Sequence, residues 1–179
     1  MGLLTILEAD ETYPVDRIWT MTDPVLGDVA FDEARGWEGV YTFPFLGCEV
    51  TVPLVLGGWE EDEPVEPLQR EAVQAFNSHK DELCAQAEDA IYANYLEHRP
   101  ELREQFGATA DKLMPILGDK EGLAQLLTPT TFFVPIPQRN ADERVVGILF
   151  DCTWEPELGL AVKFVNEKVV EVGPQDIVL

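Results

Sequence analysis

The spacing of apolar side chains changes abruptly at Leu68, and that change restricts the fold more than any other feature of the chain. Before it, apolar and polar residues alternate. In "CEVTVPLVL", Val50, Val52 and Leu54 share one face, and Glu49, Thr51 and Pro53 share the other. A period of two marks a half-buried strand. From Leu68 the recurrence becomes three, four or seven, through Val73, Phe76, Leu83, Ala87, Ile91 and Tyr95. That stripe belongs to a helix lying on a core. From residue 131 the shorter period returns. In "RVVGILFDCTW" it puts Val146, Ile148, Phe150, Cys152 and Trp154 on one face.

The chain therefore reads as a β segment (1–58), a helical segment (67–127) and a second β segment (131–179). Neither β segment has enough strands to hide both of its faces. The expected fold is α+β and a single domain over 1–179. Both halves contribute to one antiparallel sheet or sandwich, and the central helical insertion packs on it. "LLTILE", "RIWTM", "VLGDVAF" and "WEGVYTFPF" are the expected early strands, and "LG" is a hairpin connection before "CEVTVPLVL". Pro44 and Pro53 suggest edge strands or strand ends, because proline cannot donate to a ladder. Pro67 suits the first turn of a helix. The stripe is expected to end before Pro100, with a bend near Asn77-Ser78. Shorter helices are expected over Glu101–Phe106, Thr109–Leu117 and Asp119–Leu127. "TFFVPIP", "GLAVKFV", "KVVEV" and "QDIVL" complete the second β segment. Asn166 in the "NEK" turn tolerates a left-handed backbone.

Charge narrows the function. There are 34 acids against 12 bases, a net of -22. The acids crowd toward the N-terminus, with 15 against two bases in the first 66 residues. Such a surface repels phosphate, which argues against nucleic acid and anionic membranes. It attracts basic proteins and speeds their encounter. No apolar run approaches the roughly 20 residues of a membrane span. The N-terminus lacks the basic region of a secretory signal. Cys48, Cys84 and Cys152 are odd in number and far apart, which points to a reduced, cytoplasmic setting.

Reactive chemistry finds little support. His79 and Cys84 lie about 140° apart around a helix, and Cys84 and His98 about 21 Å apart along one. Neither pair forms a dyad by itself. Cys152 falls on an apolar strand face, where burial raises a thiol pKa and so opposes activation. It is expected to be buried, with no histidine within hydrogen-bond reach. Glu60, Glu61, Asp62 and Glu63 are consecutive, unlike the spaced ligands and glycine of a calcium loop. They read as a solvated linker, or as a contact strip for a basic partner. No nucleotide-binding glycine motif and no catalytic serine elbow occurs. No cofactor or metal is expected.

Two stretches resemble a bacterial family of uncharacterised domains. One is "DPVLGDVAFDEARGWEGVYTFPFLGCEVTVPLVL", with the "QREAVQAF" helix after it. The other is "GILFDCTWEPELGLAVKFVNEKVVEVGPQDIVL". The family pattern runs Asp-Pro-x-Phe/Leu-Gly, Trp-x-Gly, a glutamine-containing helix, a Trp-Asp-x-x-x-Gly-Leu hairpin and a Val-Gly-x-x-Asp end. Glu155 stands where the pattern has Asp, and Leu158 where it has a polar residue, often His. The resemblance implies structural roles in turns and packing for Gly27, Trp37, Gly39, Gly47, Trp154, Gly159, Gly173 and Asp176. Related domains are suspected immunity proteins of polymorphic toxins. The leading expectation is thus a non-enzymatic acidic binding protein, an immunity protein against a basic toxin. The alternatives are a carboxylate- or metal-dependent enzyme and a self-associating structural module. Oligomeric state stays open.

Overall fold

The computed structural model describes residues 3–6, 19–58 and 64–179. Their strands form one sheet in chain order: β1 (Leu3–Ile6), β2 (Trp19–Asp23), β3 (Gly27–Asp32), β4 (Gly36–Phe45), β5 (Cys48–Leu56), β6 (Leu127–Val134), β7 (Val145–Cys152), β8 (Leu160–Val165) and β9 (Val169–Gly173). Between β5 and β6 lie α1 (Pro67–Ser78), α2 (Lys80–Phe106), a short α3 (Ala110–Leu113) and two 3-10 turns. The fold is α+β, a single mostly antiparallel sheet with the helical insertion packed on one face.

The exception to antiparallel pairing is β5 with β6, which run parallel through Leu54↔Phe132, Val55↔Phe133 and Leu56↔Val134. The helical insertion explains it. A hairpin reverses the chain, whereas a long crossover returns it to the same end of the sheet. The insertion is that crossover, so it joins the two β halves and covers one face of both.

Packing shows why the stripe is helical. Val73, Phe76, Leu83, Ala87, Ile91 and Tyr95 are all buried. They meet the inward faces of β4 to β8, including Phe43, Leu54, Phe132, Ile148, Phe150 and Phe164. Phe76 of α1 meets Phe132 and Phe164 edge-on, at 5.0 and 5.1 Å between ring centres. Tyr41 of the first half stacks on Phe132 of the second at 3.8 Å. Each fully buried ring of this kind contributes about 1.5–3 kcal/mol. These contacts hold the halves together.

Three details depart from expectation. First, the break between α1 and α2 at His79 follows the expected bend at Asn77-Ser78, but α2 then runs through Pro100 to Phe106. Proline's missing N–H frees the carbonyl four residues back. That residue, Leu96, lies on the exposed side of α2, where water can serve the carbonyl. The expected helix at Glu101–Phe106 is the end of α2, and the two that follow shrink to α3 and 3-10 turns. Second, Pro53 lies within an interior strand, whereas Pro44 stands at a strand end as expected. Pairing of β5 with β6 begins only at Leu54, so Pro53 lies outside that ladder. Pro44 lies near the hairpin end of β4, opposite Glu49. Third, "QDIVL" is not a strand but a 3-10 turn over Gln175–Ile177. Pro174 interrupts the ladder, and Val178 turns inward. Of "RIWTM", Trp19 to Met21 lie in β2 as expected, and Arg17 and Ile18 lie outside the described residues.

The two tight hairpins behave as their sequences require. Asn166 and Glu167 both have positive φ, closed by reciprocal Val165 and Lys168 backbone bonds. Leu46 and Gly47 do likewise. Leucine rarely adopts φ of 46°, and here its N–H donates to Glu88 Oε1 of α2 at 2.6 Å.

A cleft on the open face of the sheet

The parallel pair creates an opening. β5 and β6 end side by side, and their exits then diverge. After Gly57 and Gly58 the chain crosses to α1 on the covered face. After Val134, residues 135–143 stay with the open face. Strands that part company in this way leave a crevice at their carboxyl ends, as at the switch points of open α/β sheets. Here the crevice is a cleft of about 940 Å³. Its floor is the helix-free side of β5 to β8, including Phe133, Val145, Leu149, Lys163 and Val165. Its flanks are Ala34-Arg35 with Gly57-Gly58, the segment from Pro135 to Glu143, and Gln175 to Leu179.

Each flank is pinned by a side chain. Gln69, in the first turn of α1, is only 2% exposed. Its amide donates to the carbonyls of Gly57 at 2.9 Å, Val134 at 3.2 Å and Pro135 at 3.3 Å. Its Oε1 accepts the Glu66 N–H at 3.0 Å, half of a capping box. One glutamine thus ties the ends of β5 and β6 to the start of α1. Gln175 donates to the Phe150 carbonyl at 3.0 Å and latches the C-terminal segment. Gly147 makes room for Val178, since an added Cβ would stand 2.8 Å from its Cγ2.

The signature residues frame the fold rather than line the cleft. Trp37 is buried and meets Phe31 edge-on at 5.7 Å. An added Cβ on Gly39 would stand 2.8 Å from Val29 Cγ1. Trp154 meets Tyr95 edge-on at 5.0 Å. Gly159 has φ of 62°, and its bare Cα faces the Gln175 amide. Gly173 lies beside Ile177, and Asp176 is exposed in the 3-10 turn. The Glu60, Glu61, Asp62 and Glu63 strip lies outside the described residues. The Asp-Pro start has a clear function in folding. Asp23 accepts the Val25 and Leu26 N–H groups and pairs with Arg70 Nε of α1 at 2.5 Å. Burial alone would raise its pKa, but these three donors together hold it below the usual carboxylate range.

The thiols are quiet. Burial pushes Cys152 up to about 11 and Cys84 up to about 12. Cys152 Sγ lies 3.7 Å from the Glu155 carbonyl, and no histidine bonds to it. Cys48 is exposed. Among the described residues, no three His, Cys, Asp or Glu side chains converge as metal ligands. No helix of the described residues is long and apolar enough to cross a membrane.

Electrostatics divides the surface. The exposed side of α2 carries Glu82, Glu97, Glu101 and Glu104, none of them ion-paired with a described residue. Three of the nearby cations are engaged elsewhere, while Arg99 of α2 makes no ion pair with a described residue. Lys80 bonds the Thr42 carbonyl at 2.8 Å and lies over the Tyr41 ring. Arg103 takes the Met114 carbonyl and Asp111, and Lys120 takes Glu88 and Asp89.

Sequence reasoning missed the cleft. The available signal was that β7 and β8, "VVGILF" and "LAVKFV", are apolar on both faces, the pattern of a sheet covered on both sides.

Fold and site together define an α+β protein: one crossover-bearing sheet, helices on one face and a cleft on the other. The chain belongs to the family described as Domain of unknown function (DUF6985), whose model matches residues 25–179. No curated protein and no solved structure matches it.

Proposed function

We propose that the chain is a non-catalytic binding protein that takes a basic partner protein on its acidic outer surface. In this reading it serves as an immunity protein, holding a basic toxin inactive. One observation carries the proposal: the acids exceed the bases by 22, and Lys80, Arg103 and Lys120 around α2 are turned onto the chain's own carbonyls and carboxylates, leaving Arg99 as its unpaired cation among the described residues. What remains facing outward along α2, a helix about 40 Å long, is unneutralised carboxylate. Such a field raises encounter rates with a positive partner and disfavours anionic ones. Co-expression tests the reading. A toxic, basic product of an adjacent gene should lose its toxicity in cells that also make this chain. Absence of a toxic neighbour, or persistence of toxicity with no complex formed, overturns it.

A further inference from the structure

We propose that the cleft on the open face binds a small amphipathic anion, a molecule with an apolar body and one carboxylate head seated on Lys163. The proposal is independent of any protein partner. The volume, about 940 Å³, falls in the range of small-molecule sites. The floor is apolar where an exposed sheet face is ordinarily polar: Phe133, Val145, Leu149 and Val165, with Ile177 of the flank beside them. An apolar chain laid there removes both its own surface and the floor's from water.

The head group follows from charge. Lys163 sits mid-strand in β8, half-buried, flanked on the same face by Ala161 and Val165. It faces Gly147 on β7 and Glu171 on β9 in the strand register. It makes no ion pair and no hydrogen bond with any described residue. What sets Lys163 apart is its place: a half-buried ammonium in an apolar floor, with no ion pair to a described residue. Arg35 at the flank is already engaged with Glu38 at 3.3 Å. Glu143 lines the same cleft and Glu171 stands opposite Lys163 on β9, so a second anionic group would be repelled. The favoured ligand therefore carries a single negative charge. The three flanking segments make a recess that suits a free molecule rather than a flat bilayer.

Calorimetric titration with decanoate tests this. It belongs at physiological ionic strength, where the Debye length of about 8 Å damps the protein's net charge. Saturable binding of one decanoate per chain is expected. Decanol and decylamine, with the same body but without the anion, should bind at least about tenfold more weakly, as a charge-assisted bond implies. Lys163→Met keeps the apolar stem and should weaken decanoate by about tenfold or more while leaving decanol unchanged. Lys163→Arg keeps the charge and should stay within about threefold of the native chain. An unchanged melting temperature confirms that each variant is folded. No binding of decanoate overturns the proposal. So does equal binding by Lys163→Met, or by decylamine.

Discussion

Replacing Gln69 by alanine should destabilise the protein by about 2–3 kcal/mol. The residue is buried, and its amide makes bonds to Gly57, Val134, Pro135 and Glu66. With two N–H donors and one acceptor, these amount to three full hydrogen bonds, each contributing about 1 kcal/mol net. The partners left behind moderate the loss. The Val134 carbonyl keeps the Gly57 N–H at 2.8 Å. Gly57 and Pro135 are only half-buried, and the Glu66 N–H lies at a helix end. Hence the figure stays near the bond count and escapes the full penalty of buried unpaired groups. For a chain of this size the melting temperature should fall by about 4–12 °C. Urea denaturation monitored by tryptophan fluorescence measures it directly. Gln69→Glu sharpens the test. It sets a carboxylate against three carbonyl oxygens, so its folded pKa is raised, and the cost should be greatest at neutral pH and shrink as pH falls toward 5. A Gln69→Ala loss below about 0.5 kcal/mol refutes the reasoning.

Asp23→Asn should cost about 1–3 kcal/mol, because it strips charge from a buried carboxylate paired with the partly exposed Arg70. Asp23 and Glu167 both have lowered pKa values. Their contribution is therefore complete above the unfolded carboxylate pKa and lost as pH falls through the folded one. The midpoint of urea unfolding should drop below about pH 4, less steeply in Asp23→Asn. With a disulfide exchange reagent at pH 7.5, the native chain should release one fast equivalent, from Cys48, and two more only on unfolding; three fast equivalents contradict the burial of Cys84 and Cys152. Gly159→Ala should destabilise by about 1–3 kcal/mol in thermal melts, because its φ is positive and the new methyl meets the Gln175 amide and the Phe150 carbonyl.

Much of the fold was legible because period is a local property. The stripe from Val73 to Tyr95 and the alternation from Val146 to Trp154 needed no tertiary information, and all eleven side chains are buried. Gln175–Ile177 was misread because "QDIVL" has strand composition, while its shape is set by Pro174 and by the notch that Gly147 leaves for Val178. Pro100 was misread for a related reason: what a proline costs depends on whether water reaches the freed carbonyl. The parallel β5–β6 pair is invisible to any window of sequence, since it follows from where the helical crossover returns the chain. The cleft inherits that invisibility. Lys163 reads as an ordinary polar break in "LAVKFV" until the open face around it is assembled from four strands.

Amide hydrogen exchange, recorded for the chain alone and with the basic product of an adjacent gene, bears most directly on the proposed role. The account expects a complex in which exchange slows along α2, strongest between Glu82 and Glu104, with weaker protection as salt rises. Unchanged exchange throughout, or protection confined to residues 135–143 and 175–179 around the cleft, would contradict an acidic docking surface.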